Sequence, residues 1–311
     1  NRGGIPFFGS LEDGWRACLE TRLGQRVMLL LGRYAANSPQ SFYEGALKLP
    51  WQLYLSPAQS ISTAAYVHES QGENPNFVAL KLKDAIVDSQ RQHWSERSDV
   101  ERQNPDLRAF AYWSRGKASV YLDLSGEPLF KRGYRLSGGQ APLKETMAAA
   151  VLRLAGWDRK TPLIDPMCGS ASLLIEAALW AGNVAPGIWR QRFGFERWAN
   201  FDELAQEKMS ALRGACRHKS SGQHPRITGS DIDPEALKRA QENARSAGLR
   251  LSFRQMPLRE LQPEGQRRFL VCNPPYGVRL EAENRLFQEL GSAIQRLHGW
   301  RCAILAGSPA C

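Results

Sequence analysis

Hydrophobic positions follow two different rhythms along the chain. Up to residue 130, helical and alternating patterns are mixed. Residues 5–8 form an apolar run that reads as a strand, Leu11, Trp15, Leu19 and Leu23 fall at helical spacing over 11–23, and 26–34 reads as a second strand ending before Ser38-Pro39. Together they make a small β-α-β unit lacking a first strand. A short helix over 42–47, a strand over 61–68 and a longer helix over 76–94 follow, and Val78, Leu82, Ala85 and Ser89 share one face of that last helix. Residues 107–113 and 118–124 then form a hairpin around Ser114-Arg115-Gly116-Lys117. In its second arm Ala118, Val120, Leu122 and Leu124 alternate with Ser119, Tyr121 and Asp123, the pattern of a half-buried antiparallel strand. Helices on one face of an antiparallel sheet make an α+β domain.

Residues 126–141 are a connector dense in glycine and arginine. It holds Leu136-Ser137-Gly138-Gly139-Gln140, the signature pentapeptide of transport ATPases, but the chain has no G-x-x-x-x-G-K-[ST] loop to accompany it. A helix over 141–154, with Pro142 in its first turn, is expected to face Met147, Val151 and Leu154 toward the domain that follows.

From residue 161 a short apolar run followed by a helical pattern repeats. Residues 162–164 lead into Asp165-Pro166-Met167-Cys168-Gly169-Ser170 and a helix over 172–181. Residues 227–230 lead into Asp231-Ile232-Asp233, where Asp233 suits an N-cap, Pro234 the first helical position and Gly248 the end of the helix. Strands over 251–254, 270–272 and 300–305 and a helix over 284–297 complete the series. This alternation implies an α/β fold, a parallel sheet covered by helices on both faces, with ligands beyond the carboxyl ends of the strands. Asp165, Asp231 and Asn273 all fall at such ends. Between the first two units lies an insertion, 182–225, whose Trp189, Arg190, Arg192, Phe193, Phe195, Arg197 and Trp198 suit either an RNA contact or a flap over the core.

The chemistry concentrates at those ends. Gly169 permits a tight turn and close approach of a ligand to the backbone, and a carboxylate at Asp231 suits a ribose because it can accept from both hydroxyls. A nicotinamide cofactor is disfavoured: G-x-G-x-x-G is absent, and Asp231 stands 62 residues beyond Gly169 against about 20 in that fingerprint. At the third end, Asn273-Pro274-Pro275-Tyr276-Gly277 is a rigid polar loop. Its prolines fix φ and remove donors, leaving carbonyls to accept, while the Asn273 side chain adds an acceptor and Tyr276 a flat face for a base. Two acceptors aimed at one exocyclic amine fit the methylation of a nucleobase.

A chain of 311 residues, 42% hydrophobic and 23% charged, has room for two cores. It carries no apolar run long enough for a membrane span and no signal-peptide pattern at its start, so a cytoplasmic protein is expected, with a monomer as the simplest state. Cys18, Cys168, Cys216, Cys272, Cys302 and Cys311 lack a paired framework and read as reduced thiols; Cys216, His218 and His224 lack the spacing of a metal site, so no metal is expected. The net charge of +10 lies wholly after residue 130: 14 basic residues balance 14 acidic ones up to there, and 27 face 17 beyond it. A basic catalytic half suits a polyanion.

In order, Asp165-Pro-Met-Cys-Gly-Ser, Ser230-Asp231 and Asn273-Pro-Pro-Tyr-Gly277 resemble the S-adenosylmethionine-dependent amino-methyltransferases. More narrowly, the chain is similar to the bacterial large-subunit rRNA guanine-N2 methyltransferases that carry a THUMP domain. Lys83-Asp-Ala-Ile-Val-Asp88, Leu122-Asp-Leu-Ser-Gly126, Arg132-Gly-Tyr-Arg135, Ala141-Pro-Leu-Lys-Glu145 and Ala185-Pro-Gly187 extend the resemblance over nearly the whole chain. It implies a Rossmann-like class I methyltransferase domain preceded by an α+β ferredoxin-like/THUMP domain: a partial ferredoxin-like segment over 1–40, an RNA-binding THUMP domain over 41–130, a linker and leading helix over 131–160 and the catalytic domain over 161–311. It also implies S-adenosylmethionine as cofactor and ribosomal RNA or a large-subunit precursor as partner. Asp165, Pro166, Cys168, Gly169, Ser170, Asp231 and Asn273 would bind the cofactor, and Asn273, Pro274, Pro275 and Tyr276 would grip the amine.

Three departures accompany the resemblance. Ala171 stands where the family's loop has a second glycine, which either crowds the cofactor or is tolerated. Met256-Pro257 replaces the acid that would meet the adenine. The chain opens on Asn1 rather than methionine and stops at Cys311, where the fold resembled would add two strands, so segments beyond both ends are expected. The alternatives are an adenine-N6 methyltransferase acting on DNA or RNA, which uses the same loop, and a catalytically impaired RNA-binding protein.

Overall fold

A computed structural model describes residues 3–68, 72–136, 142–262, 267–275 and 280–306, with the backbone alone at 280–284. The chain divides into two compact units, one comprising 1–19, 26–129 and 191–214 and the other 20–25, 130–190 and 215–311.

The first unit is built on α1 (Leu11–Glu20), β1 (Met28–Ala35), α2 (Pro39–Leu47), β2 (Ile61–Val67), α3 (Pro75–Trp94), β3 (Leu107–Ser114) and β4 (Lys117–Asp123). Ser38 caps α2 by accepting from Ser41 N, and Asn74 caps α3 by accepting from Asn76 N, each followed by a proline at the first helical position. The sheet runs β1-β4-β3-β2, and it is mixed, because β2 pairs with β3 in parallel. That corrects the antiparallel expectation. A parallel neighbour needs a crossover, and α3 supplies it.

The half-buried reading of the second hairpin arm also fails. Ser119 and Asp123 are buried along with Ala118, Val120 and Leu122, because β4 is central. Its polar residues are matched instead: Arg33 Nε donates to Ser119 Oγ at 3.1 Å, and Arg26 pairs with Asp123. Residues 5–8 form no strand, and Ile5 and Phe8 are exposed. An apolar run becomes a strand only when another strand bonds it.

The insertion supplies core to this unit rather than an aromatic surface. Phe193, Phe195 and Trp198 are buried, and Phe195 stacks on Trp15 at 5.2 Å. Gly194 crosses the chain so closely that a Cβ there would meet Asp123 O and Gly126 N, both at 2.7 Å. The insertion also forms a helix that periodicity had not indicated, α6 (Glu203–Lys219).

The second unit contains α4 (Glu145–Leu154), β5 (Leu163–Asp165), α5 (Ser172–Ala181), β6 (Ile227–Asp231), α7 (Pro234–Ser246), β7 (Ser252–Gln255), β8 (Phe269–Cys272), α8 (Leu280–Arg296) and β9 (Arg301–Ile304). Every pairing is parallel, in the order β7-β6-β5-β8-β9. β8 is buried at all four positions and α5 nearly throughout, as central elements covered on both sides must be.

α4 begins four residues later than expected, and of the three residues expected to face inward only Val151 packs against the core. Met147 and Leu154 are exposed, while Thr146, Ala148, Ala149 and Leu152 are buried against the core. Small side chains let α4 lie close to α5, a preference that counting large apolar residues does not see. Of the transport-ATPase pentapeptide, Ser137 to Gln140 lie outside the described residues.

Candidate active site

Three turns meet at the carboxyl ends of β5, β6 and β8. Asp165 ends β5 almost wholly buried, with its Oδ1 accepting from Met167 N at 3.0 Å. Cys168 N donates to Ser230 O at 3.0 Å, and Gly169 N donates to Asp231 Oδ2 at 2.9 Å. Asp231 Oδ1 also accepts from Asp233 N at 3.0 Å, so one carboxylate at the end of β6 fixes the turn after β5 and the start of α7. Gly169 adopts φ +52°, and a Cβ added there would meet nothing within 4 Å, so its outer face borders open space. Gly229 shows the opposite requirement: a Cβ would meet Leu174 Cδ1 at 2.6 Å, which lets β6 run close under α5.

A cavity of about 190 Å³ opens beside this turn. Asp165, Met167, Cys168, Gly169, Ser170, Ser172 and Leu173 line one side, with Pro142, Leu143, Arg239 and Asn273 completing it. Five of the expected residues, Asp165, Cys168, Gly169, Ser170 and Asn273, therefore share one cavity. Pro166 sits within the turn without lining it, and Asp231 stands behind Gly169. Pro274 is buried and Pro275 exposed at the end of the described loop; Tyr276 lies outside the described residues. A wider groove of about 300 Å³, lined by residues that include Arg245, Leu249 and Phe253, lies beside β7, away from these turns.

Burial pushes the Asp165 carboxyl up to about 8; the bond from Met167 N opposes the rise and nearby Asp231 adds to it. Such a group is poised to ionise when a cation binds beside it. The Cys168 and Cys272 thiols are also pushed up by burial, which keeps both protonated and un-nucleophilic. Among the described residues no three His, Cys, Asp or Glu side chains gather as metal ligands, and no helix is long and apolar enough to cross a membrane.

Ala171 adopts φ +65°, but its methyl group is fully buried in the core rather than lining the cavity. The cofactor-crowding reading of this departure is thereby removed. Several residues that shape the site had no pattern to reveal them. The Arg135 guanidinium reaches Glu145, Leu143 O, Ser170 and Ser172, while Asn243, buried on α7, donates to Ser170 O at 3.3 Å and accepts from Leu136 N at 2.9 Å. Arg135 and Glu145 lie inside matching text, but only folding shows what they grip. Ile232, 68% exposed beside Asp231, is a further large apolar side chain at the strand ends.

The family model described as RMKL-like, methyltransferase domain, matches residues 132–311, and that for the THUMP domain matches 36–123. The chain belongs to the RMKL-like methyltransferase family. Within that family it is 39% identical over 324 residues to Ribosomal RNA large subunit methyltransferase K/L of Allochromatium vinosum, covering 99% of this chain and 44% of the relative. It is 38% identical over 329 residues to the protein of the same name from Aeromonas salmonicida, covering 98% and 46%. The chain thus spans less than half the length of these curated relatives. Among solved structures, a Listeria monocytogenes protein described as a predicted N6-adenine-specific DNA methylase aligns with a TM-score of 0.87 at 31% identity, covering 97% of this chain and 80% of that one. SMU.472, described as a candidate methyltransferase complexed with S-adenosylhomocysteine, aligns at 0.84 and 30% identity with the same coverage. The RMKL-like family membership agrees with the Rossmann-like sheet and the preceding THUMP domain.

Proposed function

We propose that this chain is an S-adenosylmethionine-dependent methyltransferase acting on the exocyclic N2 amine of a guanine in large-subunit ribosomal RNA. The observation that carries the reading is the convergence of Asp165, Gly169 and Asn273 on one cavity, with Gly169 tied to Asp231. The names of the curated relatives support the RNA substrate, and SMU.472 supports the cofactor class.

The residues present fit that cofactor. The buried Asp165 carboxyl, raised to about 8, would give up its proton and answer the cationic methionine end as an anion. The bare face of Gly169 admits close approach, Asp231 presents a carboxylate to the ribose, and exposed Ile232 offers an apolar surface to the adenine. The bound cofactor supplies an electrophilic methyl group on a sulfonium. Guanine N2 is a poor nucleophile because its lone pair is delocalised into the ring. Acceptors at Asn273 and Pro274 O would hold its protons in a geometry that frees the lone pair, and Tyr276 would stack on the base. The nitrogen would bond to the methyl group as the carbon–sulfur bond breaks, leaving a neutral thioether, and one of those protons would pass to solvent. A thiol nucleophile has no part in this scheme.

In this reading the THUMP domain, assigned to 41–130 with a ferredoxin-like segment at 1–40, grips RNA, 131–160 links it to the catalytic domain at 161–311, and the work is done by a monomer in the cytoplasm, where ribosomes assemble. Incubation with methyl-labelled cofactor and ribosomal RNA, followed by nucleoside mass analysis, tests it. N2-methylguanine is expected. N6-methyladenine, or label entering only DNA, would establish the rival reading that the description of the Listeria protein favours, and no cofactor binding would leave an RNA-binding module.

A further inference from the structure

We propose that Arg135 is a positioning residue for the cofactor turn, clamping Ala171 in its left-handed conformation and drawing the Pro142-Leu143 wall of the cavity against the turn; this rests on the methyltransferase reading. Four contacts from one guanidinium carry it. Nε donates to Glu145 Oε1 at 2.7 Å, Nη1 to Ser170 Oγ at 3.3 Å, and Nη2 to both Ser172 Oγ at 2.8 Å and Leu143 O at 2.9 Å. The two serines flank Ala171, the one residue of the turn whose φ of +65° is unfavourable to a side chain. Leu143, Ser170 and Ser172 all line the cavity.

The geometry explains why an arginine stands here. Glu145 is buried, 4% exposed at its side chain, so its charge needs a partner, and a planar fork can satisfy it while still reaching a carbonyl and two hydroxyls. A lysine ammonium has three donors and no fork, so it can hold Glu145 or the serines but not span all four positions. Asn243 reinforces the same turn by donating to Ser170 O and anchors the clamp by accepting from Leu136 N. The segment before the Rossmann-like domain is thus part of the cofactor site, with Pro142 and Leu143 lining the cavity directly and Arg135 acting through the turn.

Arg135→Lys, which keeps a charge beside Glu145, and Ser170→Ala/Ser172→Ala, which leaves the Arg135–Glu145 pair intact, test the proposal in the full chain. Each is expected to weaken S-adenosylmethionine binding about tenfold by calorimetry, as loss of one or two such bonds would, and in Arg135→Lys, which leaves every cavity-lining side chain in place, kcat at saturating cofactor should change little. Amide exchange over 169–173, measured without any cofactor, is expected to rise. Adding Ala171→Gly to Arg135→Lys should restore exchange protection and most of the affinity, because glycine needs no clamp at positive φ. Unchanged exchange in both variants, or no recovery with Ala171→Gly, would overturn the clamp. Failure of the unsubstituted chain to bind cofactor would instead overturn the methyltransferase reading, while the exchange measurement still judges the clamp.

Discussion

The turn after β5 and the loop after β8 face the same cavity and are held by different means. The first is tied by non-covalent contacts from distant segments: Asp231 binds Gly169 N, Ser230 O binds Cys168 N, and Arg135 and Asn243 grip its serines. The second, after Cys272, is stiffened by its own covalent structure, because Pro274 and Pro275 each fix φ. In the proposed reading, a cofactor site assembled by the fold can be tuned from many positions, whereas an acceptor site built into four consecutive residues offers few ways to change without loss of chemistry.

The largest effect that would sharpen this contrast is expected at Asn273. Asn273→Ala should lower methyl transfer by about 10² to 10³, in the range for removal of a positioned polar group, while the dissociation constant for S-adenosylmethionine moves by less than about threefold. Single-turnover kinetics together with calorimetry would show it, and a matching loss of cofactor affinity would erase the distinction between the two loops. Next in size is Asp231→Asn. It replaces a charged acceptor of Gly169 N by a neutral one and should weaken cofactor binding about 10- to 100-fold, with kcat at saturation reduced far less.

Asp165 predicts a pH dependence confined to the cofactor side. With its carboxyl raised to about 8 by burial, a cation binding beside it must displace a proton below that pH. Affinity for S-adenosylmethionine should therefore rise with pH by up to about tenfold per unit between 6 and 8 and level off above. In Asp165→Asn that slope should vanish. The sign for stability is opposite: the folded state prefers the protonated acid, so this contribution is full below the ordinary carboxylate range and lost as pH rises through 8. Asp165→Asn should accordingly melt higher than the parent at pH 9 without ligand, by scanning calorimetry, while binding cofactor less well. The smallest effect belongs to Cys272. Its thiol is buried and held protonated, so Cys272→Ala should cost about 1 kcal/mol of stability and leave the methylation rate within about twofold; a large loss of rate would mean that the strand itself takes part in the chemistry.

Much of the candidate site could be read before folding, because its residues cluster in short, stiff stretches. Asp165, Gly169, Asp231 and Asn273 each end a strand whose apolar run announces it, and those strand ends converge in any parallel sheet. Asp233 as cap and Gly248 as terminator of α7 were legible for the same local reason. The positions read wrongly depend on neighbours. Ser119 and Asp123 look solvent-facing until β1 and β3 close on both sides of β4, and the apolar face of α4 cannot be found from Met147 and Leu154 when the partner helix selects for alanine.

The strand–turn–helix series, the three turns that meet at its strand ends and, through their order, the family are written in the sequence alone. Such features are written within a few consecutive residues and depend on backbone preferences that act locally. Folding brings Arg135, Asn243 and Glu145 onto the turn after β5 and hides the methyl group of Ala171 in the core. It also raises the Asp165 carboxyl into the neutral range. Those outcomes depend on burial and on hydrogen bonds between segments tens of residues apart, and no local preference encodes which distant partner a buried polar group will meet.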